Sequence, residues 1–403
     1  MADNATAPAL AGSSGAVSDP KWANSRRLEA LWTEATRERQ RKCRRVALGS
    51  FVDVRRTEGT AYVAGLYTCG HSTCPSCGSI IREQERARLA ELLGAHLAAG
   101  GGIYAGLFSV SHGPLDALGA TLDAVAEGRA RAIGSAGGSR WARDRRRFGV
   151  VGTTWHLETV FGQNGPHPHV HTLILTGAPL DADALGALNT RLFERYREGA
   201  QVHGRHALQA FNRLEPVGCA PAVAAYVSKG EAAASMAAEA ARGDLKIGKG
   251  ATPLALLDRY IETGDTVPLN LWRDWEQAMV GRRWRQWTPG LADRYGIGAP
   301  AEGASGEQQD AEDAAVDRGG VVTLRLALRV WRALTRRTGA VAALRAAVWE
   351  QDRERATALL LRAVADAERA PRRPAGRRRG GGEPCPSPFI PPFEWMDTPP
   401  AAE

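Results

Sequence analysis

The segment GPHPHVHTLIL, residues 165–175, places three histidines in five positions directly before an apolar run. Successive side chains of a strand point to opposite faces, so His169 and His171 share one face while Val170 lies on the other. Neutral imidazole is a common ligand of divalent metal ions. The segment therefore predicts a strand with an apolar core face and two candidate metal ligands on its open face. The alternative is a pair of surface histidines beside a turn.

The preceding segment strengthens the metal-site interpretation. VVGTTWHLETVF (150–161) is rich in residues that favour strands, and the GQNG that follows is typical of a tight turn. A hairpin centred between the Gln and Asn of that turn places Glu158 across from His169 and on the same face. The same pairing sets His156 opposite His171. Two imidazoles and a carboxylate suit Mg²⁺ or Mn²⁺, but a slip of one residue would turn Glu158 away.

Length and composition bound the kind of protein that could carry such a site. The chain has 403 residues, 44% of them hydrophobic, which is enough for two or three domains with a sizeable core. Its net charge of +8 favours a polyanionic partner such as nucleic acid. The start, MADNATAPALAGSSGAVSDP, lacks the pattern of a signal peptide, and no run of about 18 uncharged apolar residues occurs. We expect a cytoplasmic protein without a membrane partner.

A cysteine cluster gives the second chemical signal. Cys69, Cys74 and Cys77 lie within nine positions in CGHSTCPSC, and Cys43 lies upstream in RKCRR. Structural zinc requires four protein ligands in a tetrahedron, and a Cys-x2-Cys pair with further cysteines nearby fits that demand. His71 is the alternative to Cys43 as the fourth ligand. Redox-active or merely buried cysteines are the competing interpretations, and the two remaining cysteines are assigned no role.

The order of segments predicts a layered α+β domain between less regular ends. A helix is expected over 80–100 and a buried strand over 102–111. A basic run near the N-terminus carries Trp22, Leu28 and Leu31, which would dock it. The predicted parts are 1–40, a disordered, basic N-terminal region; 41–100, a Cys-rich zinc segment and helix; 101–297, the layered domain; 298–320, a linker; 321–370, a helical region; and 371–403, a basic, Pro-rich disordered tail.

A third signal lies in CAPAVAAYVSKGEAAASMAAEAARG, which predicts an alanine-rich helix. Tyr226 and Lys229 are three residues apart, so they share one helical face, where the ammonium group could steer a phosphate toward the phenol. The pattern alone is weak, since a packing tyrosine is common. Tyr196, the nearest competing tyrosine, lies on the apolar stripe of an amphipathic helix and is expected in the core.

Three motifs follow one another along the chain: LFSVSHGP (107–114), HPHVH (167–171) and YVSKG (226–230). In this order they resemble the three motifs of the HUH endonucleases. The resemblance is closest to the initiator proteins of plasmids that replicate by rolling circle. CGHSTCPSC followed by a charged helix is similar to the amino-terminal part of that family, and GRRWRQWTPGL (281–291) to its carboxy-terminal end. The resemblance covers about residues 40–296.

The resemblance implies an α+β fold: an HUH-type nuclease domain with a central antiparallel sheet flanked by helices, an N-terminal Cys-rich zinc-binding segment and a helical C-terminal region. It implies that Tyr226 attacks one phosphodiester bond at an origin hairpin, which leaves a 5′-phosphotyrosyl bond and a 3′-hydroxyl that primes synthesis. His169, His171 and Glu158 would hold the Mg²⁺ or Mn²⁺ ion, and Lys229 would supply countercharge. The implied partners are plasmid origin DNA and the host replication helicase and polymerase.

The resemblance leaves three points open. Some relatives carry a glutamate four residues before the tyrosine, where this chain has Ala222, so the way a round of replication ends is not indicated. A transposase or a conjugative relaxase with the same site would share the motifs, although relaxases usually place the tyrosine before the histidines. A zinc-bearing DNA-binding protein without catalytic activity is the alternative from a different class.

Overall fold

A computed structural model of the protein describes residues 22–57, 60–217, 250–297, 321–369 and 391–396. The chain forms two compact units. Residues before Gly78 and after Gly303 make up the first unit, and Gly78–Gly303 make up the second. The predicted linker 298–320 lies outside the described residues.

The α-helices of the described residues range from single turns to 24 residues. In chain order they are α1 (Ala23–Glu34), α2 (Glu38–Lys42), α3 (Pro75–Ala98), α4 (Leu118–Ile133), α5 (Gly138–Arg147), α6 (Ala182–Val202), α7 (Pro253–Thr263), α8 (Thr266–Ala278), α9 (Leu291–Arg294), α10 (Leu328–Leu334), α11 (Ala340–Trp349) and α12 (Arg353–Arg369). In this part of the chain no helix is long and apolar enough to cross a membrane.

The strands form two antiparallel sheets. In chain order the strands are β1 (Phe51–Arg56), β2 (Ala61–Ala64), β3 (Gly102–Ser109), β4 (Val150–Gly162), β5 (Gly165–Thr176), β6 (Leu214–Pro216), β7 (Arg285–Trp287), β8 (Val321–Ala327) and β9 (Phe393–Trp395). One sheet has the order β2-β1-β8-β9 and belongs to the first unit, and the other has the order β6-β3-β5-β4-β7 and belongs to the second. The predicted α+β class with antiparallel sheets and flanking helices is confirmed at this level.

The sheet of the first unit joins the two ends of the chain. Val52 of β1 lies opposite Leu326 of β8, and Val54 lies opposite Leu324, with all four side chains buried. The region 321–370, predicted to be helical, contains α10, α11 and α12 but begins with β8, a strand of the N-terminal sheet. The tail contributes β9 to the same sheet, and its residues 371–390 and 397–403 lie outside the described residues.

The N-terminal basic run is ordered by apolar contacts. Trp22, Leu28 and Leu31 are almost completely buried, which confirms that these residues dock the segment. The helices α1 and α2 occupy most of 23–42, within the basic run of the predicted N-terminal region 1–40, and residues 1–21 lie outside the described residues. Burial of a Trp and two Leu side chains contributes several kcal/mol, about 2 each, and offsets the entropy of ordering the run.

The sheet of the second unit packs one of its faces against a buried apolar cluster. Phe108 of β3 and Val170 and Ile174 of β5 lie in one buried cluster with side chains of α4 and α6. Tyr196 of α6 belongs to this cluster and is completely buried, with its ring centroid 5.0 Å from that of Phe108. The prediction that Tyr196 is a core residue is confirmed.

The opposite face of this sheet is divided into an apolar half and a polar half. Leu173 and Leu175 of β5 lie in a buried cluster with Leu89 and Leu92 of α3. Toward the turn of the β4–β5 hairpin, the same face carries polar side chains. The unit boundary at Gly78 places most of α3 with the five-stranded sheet, whereas the sequence predicted a domain boundary at residue 100. The difference arises because the contacts of α3 with β5 are distant in sequence.

Candidate functional site

The hairpin of β4 and β5 brings the predicted metal ligands onto one face. Glu158 lies opposite His169, and the pairing closes at a two-residue turn between Gly162 and Gly165. Gly165 has a φ of +82°, and a Cβ there would lie 2.8 Å from the Cα of Pro114, so a larger residue would be strained and would collide. The predicted register is confirmed, because the glycine-flanked turn fixes the pairing.

The three side chains converge on one point. The Nε2 atoms of His169 and His171 lie 3.0 Å and 2.8 Å from the same oxygen, Oε2 of Glu158. Ligand atoms bound at about 2.1 Å to one ion in octahedral geometry lie about 3 Å from each other. His169 and Glu158 are buried and His171 is half-buried, which leaves access from one side. The three donors therefore have the spacing and composition that a small divalent cation requires.

The electrostatics of the site keep the carboxylate ionised. Burial alone would raise the pKa of Glu158, but the hydrogen bonds and charges of His169 and His171 outweigh it and hold that pKa well below its ordinary value. The Nδ1 atom of His169 lies 3.2 Å from the backbone oxygen of His167, where an N–H group would donate. This contact orients the imidazole and leaves Nε2 to face Glu158, a common arrangement for metal-binding histidines.

A buried ionic network lies next to the candidate metal ligands on the same face. Glu85 of α3 is fully buried, and its Oε1 atom lies 3.1 Å from Nε2 of His156 and accepts a hydrogen bond of 2.7 Å from Nε1 of Trp287. Its other oxygen accepts from Arg285. Since His156 pairs with His171 across the hairpin, this network lies beside one of the ligands.

Glu85 was not predicted from the sequence, and His156 was predicted to lie opposite His171 but without a role. Burial alone would raise the pKa of Glu85, but the hydrogen bond with His156 and the charge of Arg285 lower it below the ordinary value. Burial lowers the pKa of His156, which favours its neutral form. The only signal of this network in the sequence is the RRWRQW stretch, which contains Arg285 and Trp287. No local pattern predicts that Glu85 is buried, because it lies in a run of charged helical residues.

The four predicted cysteine ligands also converge, within the first unit. Cys43, Cys69, Cys74 and Cys77 are all buried, and their sulfur atoms lie 3.5–3.7 Å apart in the pairs that make contact. Four sulfurs at 2.3 Å from one tetrahedral zinc ion are about 3.8 Å apart. His71, the alternative ligand, instead has its Nδ1 atom 3.3 Å from Nη1 of Arg37. The geometry therefore favours Cys43 as the fourth donor.

The predicted nucleophile and its neighbour cannot be placed in this arrangement. Tyr226 and Lys229 lie outside the described residues, as does Ala222. Their assignment continues to depend on the sequence motif.

Comparisons with known proteins give two relatives. No protein-family model and no solved structure matches the chain. The chain is 28% identical over 355 residues to the protein named "Protein rep" from Streptomyces lividans, and the match covers 72% of this chain and 77% of that protein. It is 28% identical over 146 residues to the "Neomycin resistance protein" from Streptomyces cyanogenus, and that match covers 30% of this chain and 33% of the other. The first likeness thus extends over most of both chains.

Replacing Glu85 tests the buried network. Glu85→Gln keeps the shape of the side chain but leaves the Arg285 charge uncompensated, so we expect it to lower the free energy of unfolding at pH 7 by about 3 kcal/mol. Because the folded-state pKa of Glu85 is lowered, its ionic contribution is present above the ordinary carboxyl pKa and is lost as the pH falls through the folded-state value. The difference between wild type and variant should therefore shrink in acid.

Urea unfolding followed by tryptophan fluorescence measures this difference across the pH range. Glu91→Gln, at an exposed position of the same helix, is the matched control and should stay within about 0.5 kcal/mol of wild type. A Glu85→Gln variant as stable as this control at pH 7 would contradict the role assigned to the network.

Proposed function

We propose that the chain is a plasmid replication initiator that nicks and rejoins one DNA strand at the origin. The observation that carries the proposal is the convergence of Glu158, His169 and His171 on one face of the β4–β5 hairpin. The similarity to Protein rep of Streptomyces lividans supports the same role. A net charge of +8 suits a DNA partner, since cationic side chains replace the counterions of the phosphates.

The cation proposed for this site is Mg²⁺ or Mn²⁺, held by the two imidazoles and the carboxylate. Such an ion, when bound, polarises the scissile phosphate and orients it for in-line attack. The protein side chains prepare the site. His169 and His171 direct their Nε2 atoms to Glu158, and the strand pairing fixes all three on a rigid sheet rather than on a loop.

The proposed nucleophile is Tyr226. Its phenolic oxygen gives its proton to solvent and forms a bond to the scissile phosphorus as the bond from phosphorus to the 3′ oxygen breaks, and the leaving 3′ oxygen takes a proton from water. The upstream strand then ends in a 3′-hydroxyl that the host polymerase extends behind the host helicase, and the downstream strand stays joined to the tyrosine through its 5′ phosphate. Lys229, three residues away on the same face of the predicted helix, provides positive charge to the phosphate. The phosphotyrosyl bond conserves the energy needed to rejoin the strand.

Two alternative functions would share the DNA partner with the proposed initiator. A transposase or conjugative relaxase would use the same residues on a different DNA element. A zinc-bearing DNA-binding protein without catalytic activity would bind DNA but form no covalent product. Detection of a covalent protein–DNA product therefore separates the enzyme from the binding protein.

The nicking activity can be tested with single-stranded oligonucleotides, labelled at the 3′ end, that tile both strands of the DNA flanking the gene. With Mn²⁺ present, we expect the wild type to form a labelled adduct that survives a denaturing gel. His169→Ala/His171→Ala should reduce adduct formation by at least about 100-fold, because the ion contributes several kcal/mol to the transition state. DNA binding, which the basic surface supports, should persist in a filter-binding assay.

His203→Ala, at an exposed histidine after α6, is the control and should react like wild type. Equal adduct formation by the double variant and the control would exclude the proposed metal site.

We further propose that the four cysteines hold one structural zinc ion. The four buried sulfurs have the mutual spacing of a tetrahedral zinc site, and all four come from the first unit. Zinc bound by four cysteines contributes directly to folding. Its role here is to fix the segment that leads into α3.

Removal of one cysteine tests this proposal. Cys77→Ser should release about one zinc ion per chain, measured by elemental analysis of protein purified without chelator, and should lower the melting temperature of the first unit. Cys385→Ser, at a cysteine that is not one of the four proposed ligands, should retain the metal. Wild-type protein that contains no zinc would refute the site.

A further inference from the structure

The loop 110–117, between β3 and α4, carries a leucine that points into solvent. Leu115 is 98% exposed, more than any other large hydrophobic side chain among the described residues. Single exposed leucines are common on protein surfaces and need no explanation by themselves. Leu115 differs from such residues because the loop that carries it contacts the candidate site.

The loop is held in one conformation by hydrogen bonds. The backbone N–H of Ser111 donates to the oxygen of His206 at 2.7 Å. The N–H of Gly113 donates to Oδ2 of Asp116 at 2.7 Å, and the side chain of Arg205 pairs with the same carboxylate. The charge of Asp116 is thereby compensated. Leu115 lies between these two anchored positions, so it is displayed on a fixed turn.

The loop contacts the turn and the histidine face of the candidate site. The Nδ1 atom of His112 lies 3.1 Å from Nδ1 of His167, and the His167 ring stacks on the ring of His169 with centroids 5.1 Å apart. Pro114 adjoins Gly165 at the turn of the hairpin so closely that a Cβ at Gly165 would collide with it. The exposed leucine is therefore one residue from a contact with the hairpin that carries the ligands.

Because His112 and Pro114 contact the hairpin that carries the three ligands, a DNA strand bound at these ligands would have this loop beside it. The loop offers the bases of such a strand an apolar side chain, and His112 of the loop and His167 of the hairpin offer its phosphates two imidazoles. Proteins that open or kink nucleic acids use Leu and similar side chains as wedges between bases. A base that has left its stack exposes an apolar surface, and contact with a leucine compensates for part of the lost stacking.

We infer that Leu115 packs against a nucleobase beside the scissile phosphate and keeps that base out of its stack. The inference rests on the proposed nicking function. Its partner is an unstacked base of the bound DNA strand, and its effect is greatest where the base must first leave a paired stem. His112 and His167, on this account, line the path of the adjoining phosphate.

The test compares two forms of an oligonucleotide that the wild type cleaves. One form is single-stranded, and in the other the nick site lies within a short hairpin stem. Leu115→Ser should slow adduct formation on the hairpin by about tenfold, a fraction of the cost of unstacking one base step, and by less than about twofold on the single strand. Leu115→Met keeps an apolar side chain and should behave as wild type on both. Leu361→Ser, at a leucine of the first unit that is 56% exposed, is the control for loss of an exposed leucine.

A second readout does not depend on cleavage. In the Tyr226→Phe background, 2-aminopurine beside the nick site of the hairpin should become brighter on protein binding, and the added Leu115→Ser change should abolish that increase. Equal rates for Leu115→Ser and wild type on the hairpin, or equal losses on both substrates, would overturn the inference. Failure of the wild type to form an adduct even with the single strand would instead contradict the proposed function.

Discussion

The pairing of β4 with β5 in a single register determines the rest of the site. On one face of this hairpin, Val170 and Ile174 are buried in the core of the second unit. A slip of one residue would expose both and would also turn Glu158 away from His169. Apolar burial therefore fixes the geometry of the polar face, and the glycine-flanked turn supports the same register. The candidate ligands are held by the same interactions that fold the sheet.

Helix α3 shows how the second unit supports a polar site on a buried sheet. Leu89 and Leu92 cover the apolar half of the ligand face, and Glu85, one turn nearer the N-terminus, reaches its polar half. The buried carboxylate is tolerated because His156, Trp287 and Arg285 all direct polar groups to it. Helix α3 thus contributes both packing and an ionic contact beside the ligands. This contact joins α3 to β4 and β7.

Structural features that depend on residues close together in the sequence could be predicted from it. The GQNG turn sets the hairpin register, so the convergence of Glu158 with the histidines was predictable from a short segment. Glu85 was not, because its burial depends on partners about 70 and 200 residues away. The strand β8 was hidden for the same reason, since its partner β1 lies in the N-terminal part of the chain. The sequence left Cys43 and His71 open, and only the folded arrangement distinguished them.

The most direct test of the central claim identifies the amino acid that becomes joined to DNA. The wild-type adduct would be digested with nuclease and then with trypsin, and the nucleotide would be located by mass spectrometry. The account predicts the modification on residues 214–229, a tryptic peptide whose single tyrosine is Tyr226. A nucleotide on any other tyrosine, or an adduct that persists in Tyr226→Phe, would contradict it.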